Sequence, residues 1–169
     1  PSITLGRLRA GDTFGQLSGL IDEARIYNRA LSAAEVYNLY KGSRASVVNK
    51  TKTDRLTNGL VGYWTFDGKD IYSTTAYDKT ANANNGTLTN GPVPIIGKIG
   101  QALNFDGSND YISVSDSDSL DSTSDITISV WVKADNWTGE GGAGVNTASL
   151  VKKDSNYILR KDDYAIYGG

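Results

Sequence analysis

The sequence contains no cysteine, no histidine and no methionine. Without cysteine there is no disulfide framework and no thiolate site. Without histidine the chain lacks the commonest general base and the commonest zinc ligand. No stretch approaches the roughly 18 consecutive apolar residues of a membrane-spanning helix, so we expect no membrane span. A chain without methionine is expected to be processed or to be a piece of a longer protein.

The charge of the chain is small but unevenly distributed. The net charge of −2 gives no signal for nucleic-acid binding. Only three of the 19 acidic residues are Glu, and the remaining Asp residues favour turns because their short side chains bond the nearby backbone. Residues 99–132 contain no Lys or Arg, whereas residues 41–55 are basic. We interpret both stretches as solvated loops, with a calcium site and a partner surface as the respective alternatives.

Most of the chain has the pattern of short strands separated by turns. In the clearest strand, residues 126–133, every second residue is Ile or Val. The alternate positions are polar apart from Trp131, which predicts one face on the core and one half-polar face. Residues 67–97 are rich in Asn, Thr, Gly and Asp, and we predict a long region with little to bury. Many short strands with intervening turn signals predict a β-sandwich or jelly roll.

One short helix is predicted over residues 32–41. Ser32 is a suitable N-cap, and Glu35 three residues later completes a capping box. A narrow apolar face follows, formed by Val36, Leu39 and Tyr40. Because a helix of about nine residues is not stable alone in water, we expect this face to dock on the rest of the chain.

Four stretches resemble, in order and spacing, the opening half of the bacterial laminin-G-like, concanavalin A-like jelly-roll domains. They are residues 59–67 (GLVGYWTFD), 78–87 (DKTANANNGT), 100–112 (GQALNFDGSNDYI) and 125–133 (DITISVWVK). Residues 19–35 (GLIDEARIYNRALSAAE) resemble the closing strand and terminal helix of the same family, but here they come first. The resemblance implies an all-β, concanavalin A-like jelly-roll β-sandwich with one short α-helix, either permuted or spanning two tandem domains.

The resemblance also implies a division of the chain. Residues 1–42 correspond to the C-terminal part of such a jelly roll, residues 43–58 to a linker, and residues 59–169 to its N-terminal part. The strands that the family places between these parts have no counterpart here. A sheet that lacks strands exposes an edge, which favours strand addition. We therefore expect the partners to be copies of the chain or neighbouring repeats, with residues 1–42 packed on their own chain or on a neighbour.

Four aspartates are candidate calcium ligands. The family often carries a structural calcium ion, and the resemblance implies ligands from Asp22, Asp67 and Asp78. Asp106 begins a run of oxygen-bearing side chains with the spacing of a calcium loop, although Tyr111 stands where an EF-hand has glycine. The alternative interpretation is that these aspartates form turns.

Aromatic residues suggest a carbohydrate site. Trp131, Trp137 and Tyr111 are the candidate sugar-stacking residues, and the alternative is that they pack in the core or at an edge. Glucanases of this fold carry a Glu-x-Asp-x-x-Glu pattern that is absent here. The neighbouring acids Asp22 and Glu23 are expected to face opposite sides of a strand, which makes a poor acid/base pair. We therefore expect no enzyme activity.

The expected function is that of an extracellular structural or adhesive module. It would belong to a repeat-containing cell-surface protein or to a self-associating assembly in which copies share strands head to tail. The alternative is a carbohydrate-binding module, for which the fold and the aromatic content are the support. Fold alone does not determine function, so this second hypothesis is the weaker inference.

Overall fold

The computed structural model describes residues 2–7, 15–42, 56–135, 147–154 and 156–162. These residues include two short 3-10 helices, Gly68–Asp70 and Asp118–Leu120. The other elements, in chain order, are β1 (Ile3–Leu5), β2 (Ser18–Tyr27), α1 (Ala33–Lys41), β3 (Leu60–Trp64), β4 (Ile71–Tyr72), β5 (Thr75–Ala76), β6 (Gly86–Thr89), β7 (Val93–Ile96), β8 (Gln101–Asp106), β9 (Tyr111–Val114), β10 (Thr127–Ala134), β11 (Thr147–Lys153) and β12 (Tyr157–Asp162).

The strands form two antiparallel sheets. The first has the order β12-β11-β1-β9-β6-β5-β4, and the second has the order β10-β2-β8-β7, with β3 also paired to β2. In the second sheet β8 pairs with the first half of β2 and β3 with its second half, while β10 runs along nearly the whole strand. The prediction of an all-β sandwich with one short helix is confirmed.

Strands from the first 42 residues occupy central positions in both sheets. In the first sheet β1 lies between β9 and β11, with Leu5 opposite both Ile112 and Val151. In the second sheet β2 is the strand on which β3, β8 and β10 all pair. The described strands of this segment, β1 and β2, therefore pair with later strands of their own chain. Most of the predicted linker, residues 43–55, lies outside the described residues.

The core lies between the two sheets. Its largest fully buried side chains come from both parts of the chain and include Ile3, Trp64, Phe66 and Phe105. Each such side chain stabilises the fold by about 1.5–3 kcal/mol relative to an exposed position. The packing is close, because a Cβ atom at Gly62 would lie 2.6 Å from the ring of Trp64.

The region over residues 67–97 differs from its prediction. We expected a long stretch with little to bury, but it contains the four short strands β4 to β7. It also buries polar side chains, namely Asp70, Asp78 and Asn84. Its order comes from side chains that bind the main chain, so hydrophobic periodicity does not predict its strands.

The predicted capping box of α1 is present. Ser32 Oγ accepts a hydrogen bond from the Glu35 main-chain N–H at 3.3 Å, and the Glu35 carboxylate accepts one from the Ser32 N–H at 2.8 Å. Hydrogen bonds from Arg29 and Ser32 lower the pKa of Glu35 to about 2. Among the described residues, no helix is long and apolar enough to cross a membrane.

The predicted docking of α1 is only partly correct. Its apolar face stays largely open, because Val36 is 50% exposed and Tyr40 is 62% exposed. The helix is attached mainly at its start, where the Leu31 N–H donates to Thr127 Oγ1 of β10 at 3.1 Å. The same hydroxyl donates to the Arg29 carbonyl at 2.9 Å. These two bonds place α1 beside the edge strand of the second sheet.

Candidate functional site

The central strand of the second sheet is interrupted by a β-bulge at its acidic residues. Arg25 of β2 pairs with Ser129 of β10, but the next pair is Asp22 with Trp131, so β2 carries one extra residue. Glu23, inside the bulge, has a φ of +55°. Residues other than glycine rarely adopt this left-handed main-chain conformation, so the bulge is a specific feature of this strand.

The bulge changes which way the acidic side chains point. Ile21 and Ala24 both belong to the core cluster, although they are three residues apart. Asp22 and Glu23 between them are buried, and both lie on the outer face, where Asp22 lines a cavity with Trp131 and Glu23 pairs with Arg25. The prediction that these two carboxylates face opposite sides of the strand is therefore wrong, because regular alternation does not hold across a bulge.

Asp22 is a buried carboxylate with one unsatisfied oxygen. It is 2% exposed, and Oδ2 accepts a hydrogen bond from the Ile99 N–H at 2.9 Å, whereas Oδ1 is buried and receives none. Burial is the main cause that raises the pKa of Asp22 to about 6. Main-chain hydrogen bonds from Ile99 and Lys98 oppose this rise, and the charges of Glu23 and Asp67 add to it. A Cβ atom at Gly97 would lie 2.7 Å from Oδ2, so the loop that follows β7 contacts the carboxylate directly.

A cavity of about 280 Å³ lies beside Asp22. Trp131 forms one wall, and the Lys98 ammonium lies over the indole, 4.9 Å from the ring centroid. The other lining residues are Leu20, Ile96, Gly97, Ala102, Val132 and Lys133. The cavity therefore combines a buried acceptor, an aromatic wall, apolar walls and two ammonium groups, a combination suited to a small polar ring.

Glu23 is engaged in a separate network. Its carboxylate accepts a hydrogen bond from the Tyr63 hydroxyl at 2.8 Å and forms an ion pair with Arg25. Arg25 also donates to the Tyr63 hydroxyl at 2.9 Å, and its guanidinium lies 4.2 Å from the centre of that ring. Burial raises the pKa of Tyr63 above its ordinary value. Because these three groups satisfy one another, the network holds β2 to β3 and leaves Asp22 as the buried acid with a free oxygen in this part of the sheet.

A second depression, of about 330 Å³, lies on the other side of Trp131, between α1 and β10. The ring of Tyr40 lies 5.7 Å from that of Trp131, at an interplanar angle of 31°. The lining is mainly apolar and includes Val36, Leu39, Ile128, Val130 and Leu159. We call this depression the α1–β10 groove. β10 ends the second sheet here, and no other described strand pairs with its outer edge.

Both carboxylate oxygens of Asp78, one of the predicted calcium ligands, accept hydrogen bonds. Oδ1 accepts from the main-chain N–H groups of Tyr63 and Thr80, both at 2.9 Å. Oδ2 accepts from the Thr80 hydroxyl at 2.7 Å and from the Asn84 N–H at 2.9 Å. The carboxylate thus ties the loop over residues 78–84 to β3, which is the turn-forming role that we gave as the alternative.

Of the other predicted calcium ligands, Asp22 and Asp67 bind the same loop, through Ile99 and Gln101, and Asp106 belongs to a different turn. Asp106 closes the β8–β9 turn by accepting from the Ser108 and Asn109 N–H groups, which lowers its pKa. Asp67 accepts from the Gln101 N–H at 2.8 Å, and its charge contributes to the raised pKa of Asp22. Among the described residues, no group of three acidic side chains is placed to hold a metal ion. Bound calcium stays a prediction.

Two of the predicted sugar-stacking residues, Trp131 and Tyr111, are not brought together. Trp131 lies between the cavity and the α1–β10 groove, whereas Tyr111 lies on β9 of the first sheet, where Arg7 covers its ring at 4.5 Å. Trp137 lies outside the described residues. Lys98 and Ile99 were not predicted, because the glycines beside them indicate a turn but not its partner. That partner, Asp22, lies 77 residues from Ile99 in the chain.

Comparison with models of protein families, with curated proteins and with solved structures finds no match for this chain.

Proposed function

We propose that the chain is an extracellular structural or adhesive module of the laminin-G-like type, without enzymatic activity, that associates with copies of itself or with neighbouring repeats. The observation that supports this proposal is the outer edge of β10, with which no strand in the described part of the chain pairs. This edge is eight residues long and lies next to the apolar α1–β10 groove. A strand from another molecule could pair with its main-chain groups and cover the groove.

The side chains around this edge favour an added strand. Ile128 and Val130 pack against the core but are only partly buried, as is Leu159 of β12. Val36 and Tyr40 of α1 leave half or more of their surface exposed above the same groove. Each Å² of apolar surface that a partner removes from water contributes about 25 cal/mol, so the groove adds to the hydrogen bonds of the strand.

The opposite edge of the same sheet is less suited to strand addition. β7 is only four residues long, although Val93 and Ile96 on it are 55% and 87% exposed. Pro94, in its middle, has no N–H group to donate to a further strand. β10 contains no proline, and we therefore place the association at β10.

The experiment is sedimentation velocity over a range of concentrations. The wild-type chain should show concentration-dependent association, and Ser129→Lys on β10 should weaken it by about tenfold or more, because a lysine opposes edge-to-edge pairing. Val93→Lys introduces the same side chain at the β7 edge and should leave association unchanged. A wild-type chain that stays monomeric throughout, or equal loss in both variants, would contradict the proposal.

Carbohydrate binding is the second candidate function. The specific observation in its favour is the cavity that Trp131 and Asp22 both line. Aromatic rings offer a flat apolar surface, and a carboxylate oxygen accepts hydrogen bonds from hydroxyl groups. Both features suit the two faces of a sugar ring.

Structural calcium is a separate hypothesis within this proposal. Asp22 and Asp67 are the two predicted ligands whose charges affect each other, since Asp67 raises the pKa of Asp22. If calcium is bound, a chelator should lower the melting temperature and added calcium should restore it. An unchanged melting temperature would contradict the hypothesis.

A further inference from the structure

We propose that two copies of the chain form a two-fold symmetric dimer in which β10 pairs antiparallel with β10 of the second copy. In this pairing Ser129 lies opposite Ser129 of the second copy. The inference rests on the proposed self-association and adds the partner strand, its direction and its register. A two-fold interface uses the same surface of both copies and closes on itself, so the product is a dimer rather than a chain of molecules.

The two faces of β10 limit the registers that an added β10 can take. Its even-numbered residues, among them Ile128 and Val130, pack against the core. On the opposite face, Thr127 bonds the start of α1 and Trp131 contacts Tyr40. A shift by one residue would move the core side chains of the added strand to the outer face. Both core faces therefore stay aligned only when odd-numbered residues lie opposite odd-numbered residues.

The charges at the two ends of this stretch select one register. Asp125 and Lys133 both belong to the odd-numbered set and both are exposed. Neither forms an ion pair with another residue in the described part of the chain. When the pairing is centred on Ser129, Asp125 of each copy lies opposite Lys133 of the other. Opposite charges that face each other across an antiparallel pair stabilise it.

The neighbouring registers lack this complementarity. Centred on Val130, the pairing would place Asp125 opposite Asp135 of the second copy, and like charges in opposite positions are destabilising. Centred on Ile128, it would place Asp125 opposite Trp131. A parallel pairing in register would bring every charge beside its own counterpart. The register centred on Ser129 is therefore the one that the sequence of the strand favours.

The core face of the strand is self-complementary in the same register. β-branched side chains lie opposite each other, Ile126 with Val132 and Ile128 with Val130. All four pack against the core of their own copy and are only partly buried in it. Cross-strand pairs of this kind stabilise a sheet, so the second copy extends the apolar layer of the first.

The helix adds apolar surface to the same interface. α1 lies over the outer face of β10, because Tyr40 contacts Trp131. The symmetry axis of an antiparallel pair is perpendicular to the sheet, so both copies of α1 lie on one face, on either side of the axis. Val36, Tyr37 and Tyr40 of α1 are each at least half exposed. A second copy brings the same apolar helix face, which supports a copy of this chain as the occupant.

Charge reversal, followed by sedimentation velocity over a range of concentrations, tests the register. Asp125→Lys should weaken dimerisation by about tenfold or more, because lysines then face each other at both ends of the interface. Lys133→Asp should weaken it by a similar factor. The double variant Asp125→Lys/Lys133→Asp exchanges the two charges and should return the dissociation constant to within about threefold of wild type. Lys69→Asp, at a side chain that is 75% exposed outside β10, is the matched control and should dimerise like wild type.

A single cysteine tests the centre of the pairing directly. The chain has no cysteine of its own, so Ser129→Cys introduces one thiol per copy. Directly opposite residues of an antiparallel pair have Cα atoms about 4.5–5.5 Å apart, within the range that a disulfide spans. Mild oxidation should therefore link Ser129→Cys into a covalent dimer. Ser124→Cys is the matched control and should stay unlinked, because its two copies would lie more than about 25 Å apart. A thermal melt of every variant confirms that it is folded.

The outcomes separate this inference from the proposed function. A wild-type chain that stays monomeric at every concentration would overturn both. A chain that associates and is weakened by Ser129→Lys, but shows no rescue in the double reversal, would overturn the pairing of β10 with itself and leave association at this edge in place. Failure of Ser129→Cys to form the covalent dimer, or a wild-type species larger than a dimer, would also overturn the two-fold arrangement alone.

Discussion

Asp22 and Asp78 are both buried carboxylates in the same fold, yet their surroundings differ. Asp78 accepts four hydrogen bonds, which occupy both of its oxygens. Asp22 is more deeply buried, but one of its oxygens receives no hydrogen bond. Burial alone therefore does not describe the state of a carboxylate. The number of its oxygens that accept hydrogen bonds distinguishes Asp78 from Asp22.

The loops around Asp78 and Asp22 are held in place by different contacts. The loop that Asp78 organises is also held to the core by Trp64, whose indole N–H donates to the Asn84 carbonyl at 2.9 Å. The loop beside Asp22 contacts that residue through Gly97 and Ile99 and carries the exposed Lys98 over a cavity. The first loop is fixed by side chains that bind the main chain, whereas the second encloses a carboxylate with one oxygen left without a hydrogen bond.

The largest expected effect is that of Asp78→Ala. It leaves four donors without their acceptor in a nearly buried site, so we expect a loss of about 4 kcal/mol in the free energy of unfolding. Urea denaturation measures this loss. The matched control is Asp106→Ala, which removes an aspartate from an exposed turn and should cost about 1 kcal/mol. Equal losses in the two variants would contradict the structural role of Asp78.

Gly97→Ala tests the contact between the loop and Asp22. The added Cβ would lie 2.7 Å from Asp22 Oδ2 and 2.8 Å from the Ala102 nitrogen, and we expect a loss of about 2–3 kcal/mol. Lys98→Ala, on the same loop but with an exposed side chain, should change the free energy of unfolding by no more than about 0.5 kcal/mol. If the two variants are equally stable by urea denaturation, the close approach to Asp22 is not present in solution.

Asp22→Asn should stabilise the chain at neutral pH. The pKa of Asp22 is raised in the folded state from 3.8 to about 6, so the folded state binds this proton more tightly than the unfolded state. The contribution of the Asp22 carboxyl to the free energy of unfolding of the wild type therefore falls as the pH rises between these two values. Above them it stays low. We expect the variant to gain about 2 kcal/mol at pH 7.5 and nothing below pH 3.8.

The measurement for Asp22→Asn is the free energy of unfolding of both chains by urea denaturation across this pH range. The difference between them should appear as the pH rises and then remain constant. A variant that is less stable than wild type at every pH would mean that the Asp22 carboxylate has a partner that satisfies it.

Glu23→Gln gives the smallest expected effect. The charge of Glu23 is a secondary cause of the raised pKa of Asp22, after burial. Its removal should lower that pKa by less than one unit, which corresponds to less than about 1.4 kcal/mol. Titration of the Asp22 carboxyl by 13C NMR measures the change. Glu35→Gln, which alters a carboxylate paired with Arg29 instead, should leave the pKa of Asp22 unchanged.

Local features of the fold were predictable because their signals are local. The capping box at Ser32 and Glu35 and the alternation that places β10 both lie within a few neighbouring residues. The region over residues 67–97 was not predictable in this way, since its order depends on Asp78 reaching the main chain of Tyr63. Of the candidate site, Asp22 and Trp131 were identified beforehand, although for different sites, whereas Lys98 was not.

The amino-acid pattern by itself determined the all-β character, the single helix with its cap, and the absence of cysteine and histidine chemistry. The alternation of a strand and the capping residues of a helix both lie within a few consecutive residues, so they predict these elements without knowledge of tertiary contacts. The tertiary structure alone decided that β2 bulges at Glu23, that Asp22 meets Ile99 across 77 residues, and that β10 ends its sheet beside an open groove. These features arise from pairing between distant segments, and local periodicity does not specify which segments will pair.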